Sequence, residues 1–313
     1  MKKVIYKQFG DTDVLQQDET QIPALGSDDI LVKIKAASIN PLDWKLFLGE
    51  MKLMAGKKFP KAVGIDFSGV IEAVGTASSN FKIGDEVIGL VDIFKGGAMA
   101  EYVVTKERNL AIKPGNLSFE QAAALPVAGL SALQILTKLA SIKTGTEILI
   151  HGATGGIGMF LTQFAKKRGG IVTAVTNTKG IALVKKWQSD YSIDYYKQDV
   201  FKLDKQFDVV VDLSGKMTFN AVKALLKKKA SFINTLPSPG GMITSFVNNL
   251  FSQRKYQILV LKPSAENINI LAHEAERNLD VIIDKVFPIK SIKEAYDYAM
   301  KGGILGKVII TLE

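Results

Sequence analysis

The sequence predicts an α/β chain that joins a doubly wound parallel sheet to a second, β-rich domain of barrel-like strand order. Three observations predict it. The apolar run 148–150 has the length of a buried parallel strand, breaks at Gly152-Ala153-Thr154-Gly155-Gly156-Ile157-Gly158, and resumes at helical spacing over 159–167. Another apolar run, 170–175, follows at the spacing of a βαβ unit. Residues 4–123 instead show short strands punctuated by glycine, without helices alternating between them.

Composition narrows the function classes. With 47% hydrophobic and 23% charged residues, the 313-residue chain is that of a soluble globular protein long enough for two cores. No stretch reaches the roughly 18 apolar residues that cross a bilayer, so no membrane insertion is expected. The start, Met1-Lys2-Lys3-Val4-Ile5-Tyr6, runs into a strand pattern without the core of a signal peptide, and a cytoplasmic place is expected. There is no cysteine, which removes thiolate nucleophiles, disulfides and cysteine-bound zinc. The two histidines, His151 and His273, lie far apart, and no metal is expected. The net charge of +9 is carried by lysines spread along the chain, with no aromatic-interleaved basic stripe, so no nucleic-acid partner is expected.

In chain order, 30–39 partly alternates as a half-exposed strand should, and 67–75 and 85–90 are further strands about the turn Phe81-Lys82-Ile83-Gly84-Asp85. Lys113-Pro114-Gly115-Asn116 marks a turn and boundary. Ser118 and Gln121 stand at capping-box spacing before a helix that Pro126 interrupts. A small-residue helix covers 128–139. Strands at 207–212 and 230–235 then continue the parallel sheet. Beyond Pro263 come a helix to about 279, a strand near 281–287, a helix to 301 and a strand at 307–311. Periodicity leaves open which domain this tail joins.

The glycine run predicts a dinucleotide site. Strand, glycine turn and helix set free backbone N–H groups and a positive helix end against a pyrophosphate. Thr154, Gly155, Gly156 and Ile157 are its candidate contacts, and Gly158 would let the helix pack close to its strand.

Several motifs in order give the chain a resemblance along essentially its whole length: Ser38-Ile39-Asn40-Pro41-Leu42-Asp43-Trp44-Lys45, Gly64-Ile65-Asp66-Phe67-Ser68-Gly69-Val70, Gly97-Ala98-Met99-Ala100-Glu101-Tyr102, Ala124-Leu125-Pro126-Val127-Ala128-Gly129-Leu130-Ser131-Ala132, the glycine run, and Gly306-Lys307-Val308. The chain resembles the zinc-independent quinone oxidoreductases (zeta-crystallin-like) of the medium-chain dehydrogenase/reductase superfamily. The resemblance implies a GroES-like, barrel-like catalytic domain of residues 1–123 and 263–313, completed by the tail, and a Rossmann NADP-binding domain of residues 124–262. It also implies a homodimer or homotetramer, often paired through the edge of the cofactor-domain sheet.

The second strand of the parallel sheet exits as Thr176-Asn177-Thr178-Lys179-Gly180 with no acid. An Asp or Glu there holds the ribose hydroxyls of NAD and would repel a 2′-phosphate. NADPH is therefore the expected cofactor, with Thr178, Lys179 and Asn177 as phosphate contacts. Tyr195 matches a tyrosine of the resembled family near that phosphate. Ser214 and Thr235, at strand ends, are further candidates; Asp212 caps a turn or touches the cofactor. Ser131, Pro41 and Lys307 enter as cofactor contacts through the resemblance.

Without zinc or thiol, the expected chemistry is hydride delivery to an acceptor that is already electrophilic, a small hydrophobic quinone or α,β-unsaturated carbonyl. Asn40, Asp43 and Lys45 are the catalytic candidates. Asn40 holds the nicotinamide or an acceptor carbonyl, or only closes a turn before Pro41. Lys45 donates to an enolate oxygen or is solvated. Asp43 orients Lys45 or caps the turn. The loops 46–59, 93–99 and 242–251 are the expected apolar acceptor walls. Enoyl-thioester reduction, a non-catalytic NADPH-binding or redox-sensing role, and an RNA-binding crystallin-like role are the alternatives.

Overall fold

A computed structural model describes residues 1–77, 80–235 and 239–312. The chain divides into two compact units, Met1–Leu130 with Pro263–Glu313, and Ser131–Lys262. The first cut falls later than the expected 123/124. Gly129 explains this, since a Cβ there would stand 2.5 Å from Leu271 of the tail.

The first unit opens with β1 (Lys2–Tyr6), β2 (Gln16–Glu19), β3 (Asp29–Ser38), α1 (Pro41–Phe47), α2 (Lys52–Ala55), β4 (Lys61–Ala62), β5 (Asp66–Val74), β6 (Glu86–Leu90), β7 (Tyr102–Lys106) and β8 (Leu110–Ile112). Helix α3 (Phe119–Ala123) begins at Ser118, whose Oγ accepts from Gln121 N while Gln121 Oε1 accepts from Ser118 N, both at 3.2 Å. Pro126 cannot continue that helix and instead starts α4 (Pro126–Gln134). The expected helix 128–139 is thus α4 followed by a π-helical turn, Ile135–Leu139.

The second unit carries β9 (Glu147–His151), α5 (Gly156–Lys167), β10 (Ile171–Thr176), α6 (Ile181–Lys186), β11 (Tyr191–Asp194), β12 (Phe207–Asp212), α7 (Phe219–Val222), β13 (Leu226–Asn234), α8 (Pro239–Phe251) and β14 (Lys255–Ile258). Its six strands run parallel in the order β11-β10-β9-β12-β13-β14, the doubly wound order in which direction of travel reverses at β9. Leu149, Val210 and Phe232, in register on one face of the sheet, form a core with Phe207, Phe219 and Tyr256. Residues 242–251, expected as a loop, lie within helix α8.

The tail contributes α9 (Ala265–Glu276), β15 (Ile283–Pro288), α10 (Ile292–Met300) and β16 (Lys307–Thr311). Strand β16 pairs antiparallel with β3 and parallel with β15, so the tail completes the first unit's main sheet, β15-β16-β3-β5-β6-β8, with β7 also on β3. The open question about the tail is settled by this pairing. A three-stranded sheet, β2-β1-β4, lies in the same unit. Among the described residues no helix is long and apolar enough to cross a membrane.

Candidate active site

In the first unit three strands converge on one polar cluster. Ser38 ends β3 directly opposite Asp66, which starts β5, and β16 brings Lys307 alongside. After Ser38 the chain turns at Asn40, where Pro41 supplies the fixed φ that suits a first helical position. Asp43 at the third position of α1 reaches back, its Oδ2 accepting from Asn40 N at 2.8 Å.

The side-chain amide of Asn40 is held at both ends. Its Oδ1 accepts from Lys307 Nζ at 2.6 Å, and its Nδ2 donates to Asp66 Oδ2 at 3.1 Å. Lys307 Nζ also donates to Ile39 O at 2.8 Å and lies 3.8 Å from Asp66 Oδ2. Asp66 accepts further from Ser38 Oγ at 2.7 Å and Val127 N at 3.1 Å. Tyr296 of α10 donates to Asp43 Oδ2 at 3.1 Å, while Asp43 Oδ1 is buried without a hydrogen-bond partner. Asn40, Asp43, Asp66 and Lys307 are all buried.

Two carboxylates and one ammonium thus share a place that excludes water. Burial pushes the Asp43 carboxyl from 3.8 up to about 7, against the pull of the Asn40 N–H, with the charge of Asp66 adding to the rise. Burial raises Asp66 too, opposed by Lys307 and its hydrogen bonds. Lys307 is lowered by burial despite both acids. Burial and the neighbouring Asp43 hold the Tyr296 phenol well above its ordinary range. The arrangement favours protonation of Asp43 beside an amide whose orientation is fixed by charge on either side.

Lys45 is not part of this cluster. Its Nζ pairs with Glu50 at 3.1 Å on the surface. Asp43 therefore does not orient Lys45, because its carboxylate faces inward to Asn40 N and Tyr296.

The second unit presents a rim at the carboxyl ends of its parallel strands. Gly152 leaves β9 at φ +87°, a conformation that favours glycine. A Cβ at Gly158 would stand 2.1 Å from Gly152 O, so only glycine lets α5 approach its strand this closely. Gly155 caps α5, whose first turn holds Gly156 and Ile157. The hydroxyls of Thr154 and Thr176 bond to each other, tying the glycine turn to β10. A Cβ at Gly180 would meet both threonines, at 2.2 Å and 2.8 Å, so the β10 exit also folds tightly.

At that exit Asn177 Oδ1 accepts from Gly180 N at 2.9 Å, and Lys179 is exposed. Thr178 Oγ1 donates to Asp194 Oδ2 at 2.6 Å. Asp194, at the end of β11, thus stands beside the acid-free β10 exit, and its hydrogen bonds from Thr178 and Tyr196 N keep its carboxyl below the usual range. Tyr195 stacks on His151 at 6.3 Å. His151 Nδ1 bonds Ser214 Oγ at 2.9 Å, and burial lowers its pKa against the pull of Asp212. Asp212 is fully buried, with Oδ1 accepting from Ser214 N and Oγ at 2.9 and 2.7 Å and Oδ2 from Met217 N at 2.9 Å. It caps the turn after β12. Thr235 N donates to Asp212 O at 3.3 Å, and Ser131 is buried in α4.

The structure thus gathers Thr154, Gly155, Gly156, Ile157, Asn177, Thr178, Tyr195, Ser214 and Thr235 on one rim. Asn40, Pro41, Asp43 and Lys307 belong to the first unit's cluster. Sequence reasoning missed Asp66 and Tyr296 as members of that cluster. Asp66 carried a signal, an acid inside an otherwise apolar strand motif, 62–71. The chain has no cysteine, and the described residues contain no cluster of three His, Asp or Glu that could hold a metal ion.

Comparison with known proteins places the chain. Residues 26–115 match the family model described as alcohol dehydrogenase GroES-like domain, and 187–310 match that described as zinc-binding dehydrogenase. A chloroplastic quinone-oxidoreductase homolog of Spinacia oleracea is 34% identical, covering 96% of this chain and 95% of its own. The chloroplastic NADPH-dependent alkenal/one oxidoreductase of Arabidopsis thaliana is 30% identical, covering 99% of this chain and 79% of its own. The structure of the quinone oxidoreductase from Coxiella burnetii superposes with a TM-score of 0.90 at 29% identity, covering 100% of this chain and 99% of that one. The chain belongs to the quinone oxidoreductase family of the medium-chain dehydrogenase/reductase superfamily, with a GroES-like and a Rossmann part.

Proposed function

We propose that the chain is an NADPH-dependent oxidoreductase that reduces quinones or α,β-unsaturated carbonyls. The observation that carries this reading is the turn from Gly152 to Gly158, where a Cβ at Gly158 would collide with backbone and the N-terminus of α5 opens beyond Gly155. Backbone N–H groups of Gly156 and Ile157 would hold the pyrophosphate beside Gly155, whose own N–H donates to Gly152 O at 3.1 Å, with Thr154 fixing the turn. When bound, the dihydronicotinamide supplies a hydride. The names of the Spinacia and Arabidopsis relatives support a quinone or an alkenal or enone as acceptor.

In this reading the unit holding the glycine turn is the cofactor domain and the other is the catalytic domain. Asn40, backed by Lys307 and Asp66, presents an oriented amide to the nicotinamide or the acceptor carbonyl. Pro41 fixes the turn that places it. Asp43 holds the proton that keeps the cluster near neutrality. Ser131, Tyr195, Ser214 and Thr235 line the cofactor. The exposed Lys179 favours a 2′-phosphate, while Asp194 opposes it and ties up Thr178. A homodimer or homotetramer acting in the cytoplasm completes the proposal.

The test is steady-state oxidation of NADPH and of NADH against benzoquinone, naphthoquinone, a short enal and an enoyl-thioester. Turnover with NADPH well above NADH is expected. Lys179→Ala is expected to raise KM for NADPH about tenfold without changing KM for NADH. NADPH binding without turnover of any acceptor would instead mean a binding or sensing role. Preference for NADH would mean that Asp194, not Lys179, sets the cofactor.

A further inference from the structure

At the carboxyl ends of the parallel strands a chain of side chains runs from β12 to β9 to β11. Its root is Asp212, fully buried, whose Oδ1 accepts from Ser214 Oγ at 2.7 Å. Having given its proton to the carboxylate, Ser214 Oγ can only accept from the ring of His151, at 2.9 Å, and from Lys216 N, at 3.2 Å. A proton of the imidazole therefore sits on Nδ1, and the ring is anchored from the β12 side. One face of it meets Tyr195, with ring centroids 6.3 Å apart and planes inclined by 27°. That separation lies within the range over which aromatic rings attract one another.

The ring pair spans a strand. His151 ends β9, Tyr195 follows β11, and β10 lies between these two in the sheet. The register sets Val175 of β10 beside His151 and Thr176 beside Asp194. Rings rooted two strands apart, roughly 10 Å, meet only above the end of the strand between them, so Tyr195 lies over the β10 exit. Two bonds tie it there. Tyr195 N donates to Thr176 O at 3.0 Å, and the Asn177 side chain hydrogen-bonds the phenol. Burial, and after it Tyr196, raise the phenol's pKa above its ordinary value, so it remains a donor. In a doubly wound sheet this exit is where the ribose 2′ position is read. Tyr195 is half-buried, and Lys179 of the same exit is exposed.

We propose that His151 is the positioning residue that holds Tyr195 over the β10 exit, and that it thereby sets the preference for a 2′-phosphate over a free 2′-hydroxyl. Asp212 and Ser214 anchor the imidazole, the imidazole holds the phenol ring, and the phenol donates to a phosphate oxygen. This rests on the reading of the rim as a dinucleotide site, and on neither the acceptor nor hydride transfer. A histidine that only filled space beneath the glycine turn would, once removed, weaken every adenosine ligand alike.

The experiment is calorimetric titration of the whole protein with adenosine 2′,5′-bisphosphate and with adenosine 5′-monophosphate, which differ only in the 2′-phosphate. The wild type should prefer the bisphosphate. His151→Ala should lower that preference about fivefold and leave the affinity for the monophosphate unchanged. His151→Phe, which keeps a ring face for Tyr195, should restore most of the preference. Thermal melting of each variant establishes that it is folded. A folded H151A that keeps the wild-type preference overturns the proposal, as does one that weakens both ligands equally, or an H151F no better than H151A. Equal affinity of the wild type for the two ligands overturns the expected NADPH preference with it, and binding of neither overturns the dinucleotide site as well.

Discussion

In the unit of Met1–Leu130 and Pro263–Glu313, the candidate site is a set of buried side chains drawn from residues 38–43, 66, 296 and 307. In the unit of Ser131–Lys262 its centre is a backbone turn between one strand and one helix, with side chains added from the ends of four neighbouring strands. Each construction fails in its own way. Buried charges hold a geometry only while they balance, so the first site responds to removal of a charge and to pH. The glycine turn carries no titrating side chain, but at Gly158 it has no room for a Cβ.

The largest effect should follow from unbalancing the cluster. Lys307→Met leaves Asp66 and Asn40 Oδ1 without their cation and should cost about 3–5 kcal/mol in denaturant unfolding. Adding Asp66→Asn to that variant should recover part of the loss. Equal, additive losses would show that the two side chains do not act as a pair.

The next effect is pH dependence. With Asp43 raised from 3.8 to about 7, the folded chain keeps a proton that the unfolded chain releases in this window. Its contribution is therefore full below about pH 4 and is lost as pH rises to about 7, on the order of 4 kcal/mol. Unfolding measured across that range should show the decline, and Asp43→Asn should flatten it. A parallel decline in the variant would place the titration elsewhere.

Gly158→Ala should cost about 2–3 kcal/mol and weaken NADPH binding, because its Cβ would meet Gly152 O and Ala153. Calorimetry of binding together with melting checks both parts. The cluster should keep its pH response in this variant. At the small end, Lys45→Ala removes only a surface ion pair with a half-exposed Glu50 and should change stability by about 0.5 kcal/mol or less. A larger loss would draw Lys45 back into the cluster.

The same contrast explains what was legible in the sequence. The glycine turn was readable because strand, glycines and helix are contiguous, and steric need leaves the residue type little freedom. The Asn40–Pro41 turn was also readable, but its meaning was not. Asp66 and Tyr296 join Asn40 only through the pairing of β3 with β5 and the packing of α10, and no local pattern encodes either. Lys307 was placed by resemblance alone; its burial follows from β16 pairing with β3. The bond from Thr178 to Asp194 was not legible because the acid arrives from β11, after an intervening helix. Helix α8 was misread as loop because its polar Ser245 and Asn249 serve the edge strand β14 at Tyr256 rather than solvent.

The most direct test of hydride transfer uses NADPH deuterated at the transferable position of the nicotinamide and a simple enone. Mass spectrometry of the product should find one deuterium on the carbon β to the carbonyl, and Asn40→Ala should slow its appearance without abolishing NADPH binding. Bound, unconsumed NADPH and an enone recovered without deuterium would contradict the account.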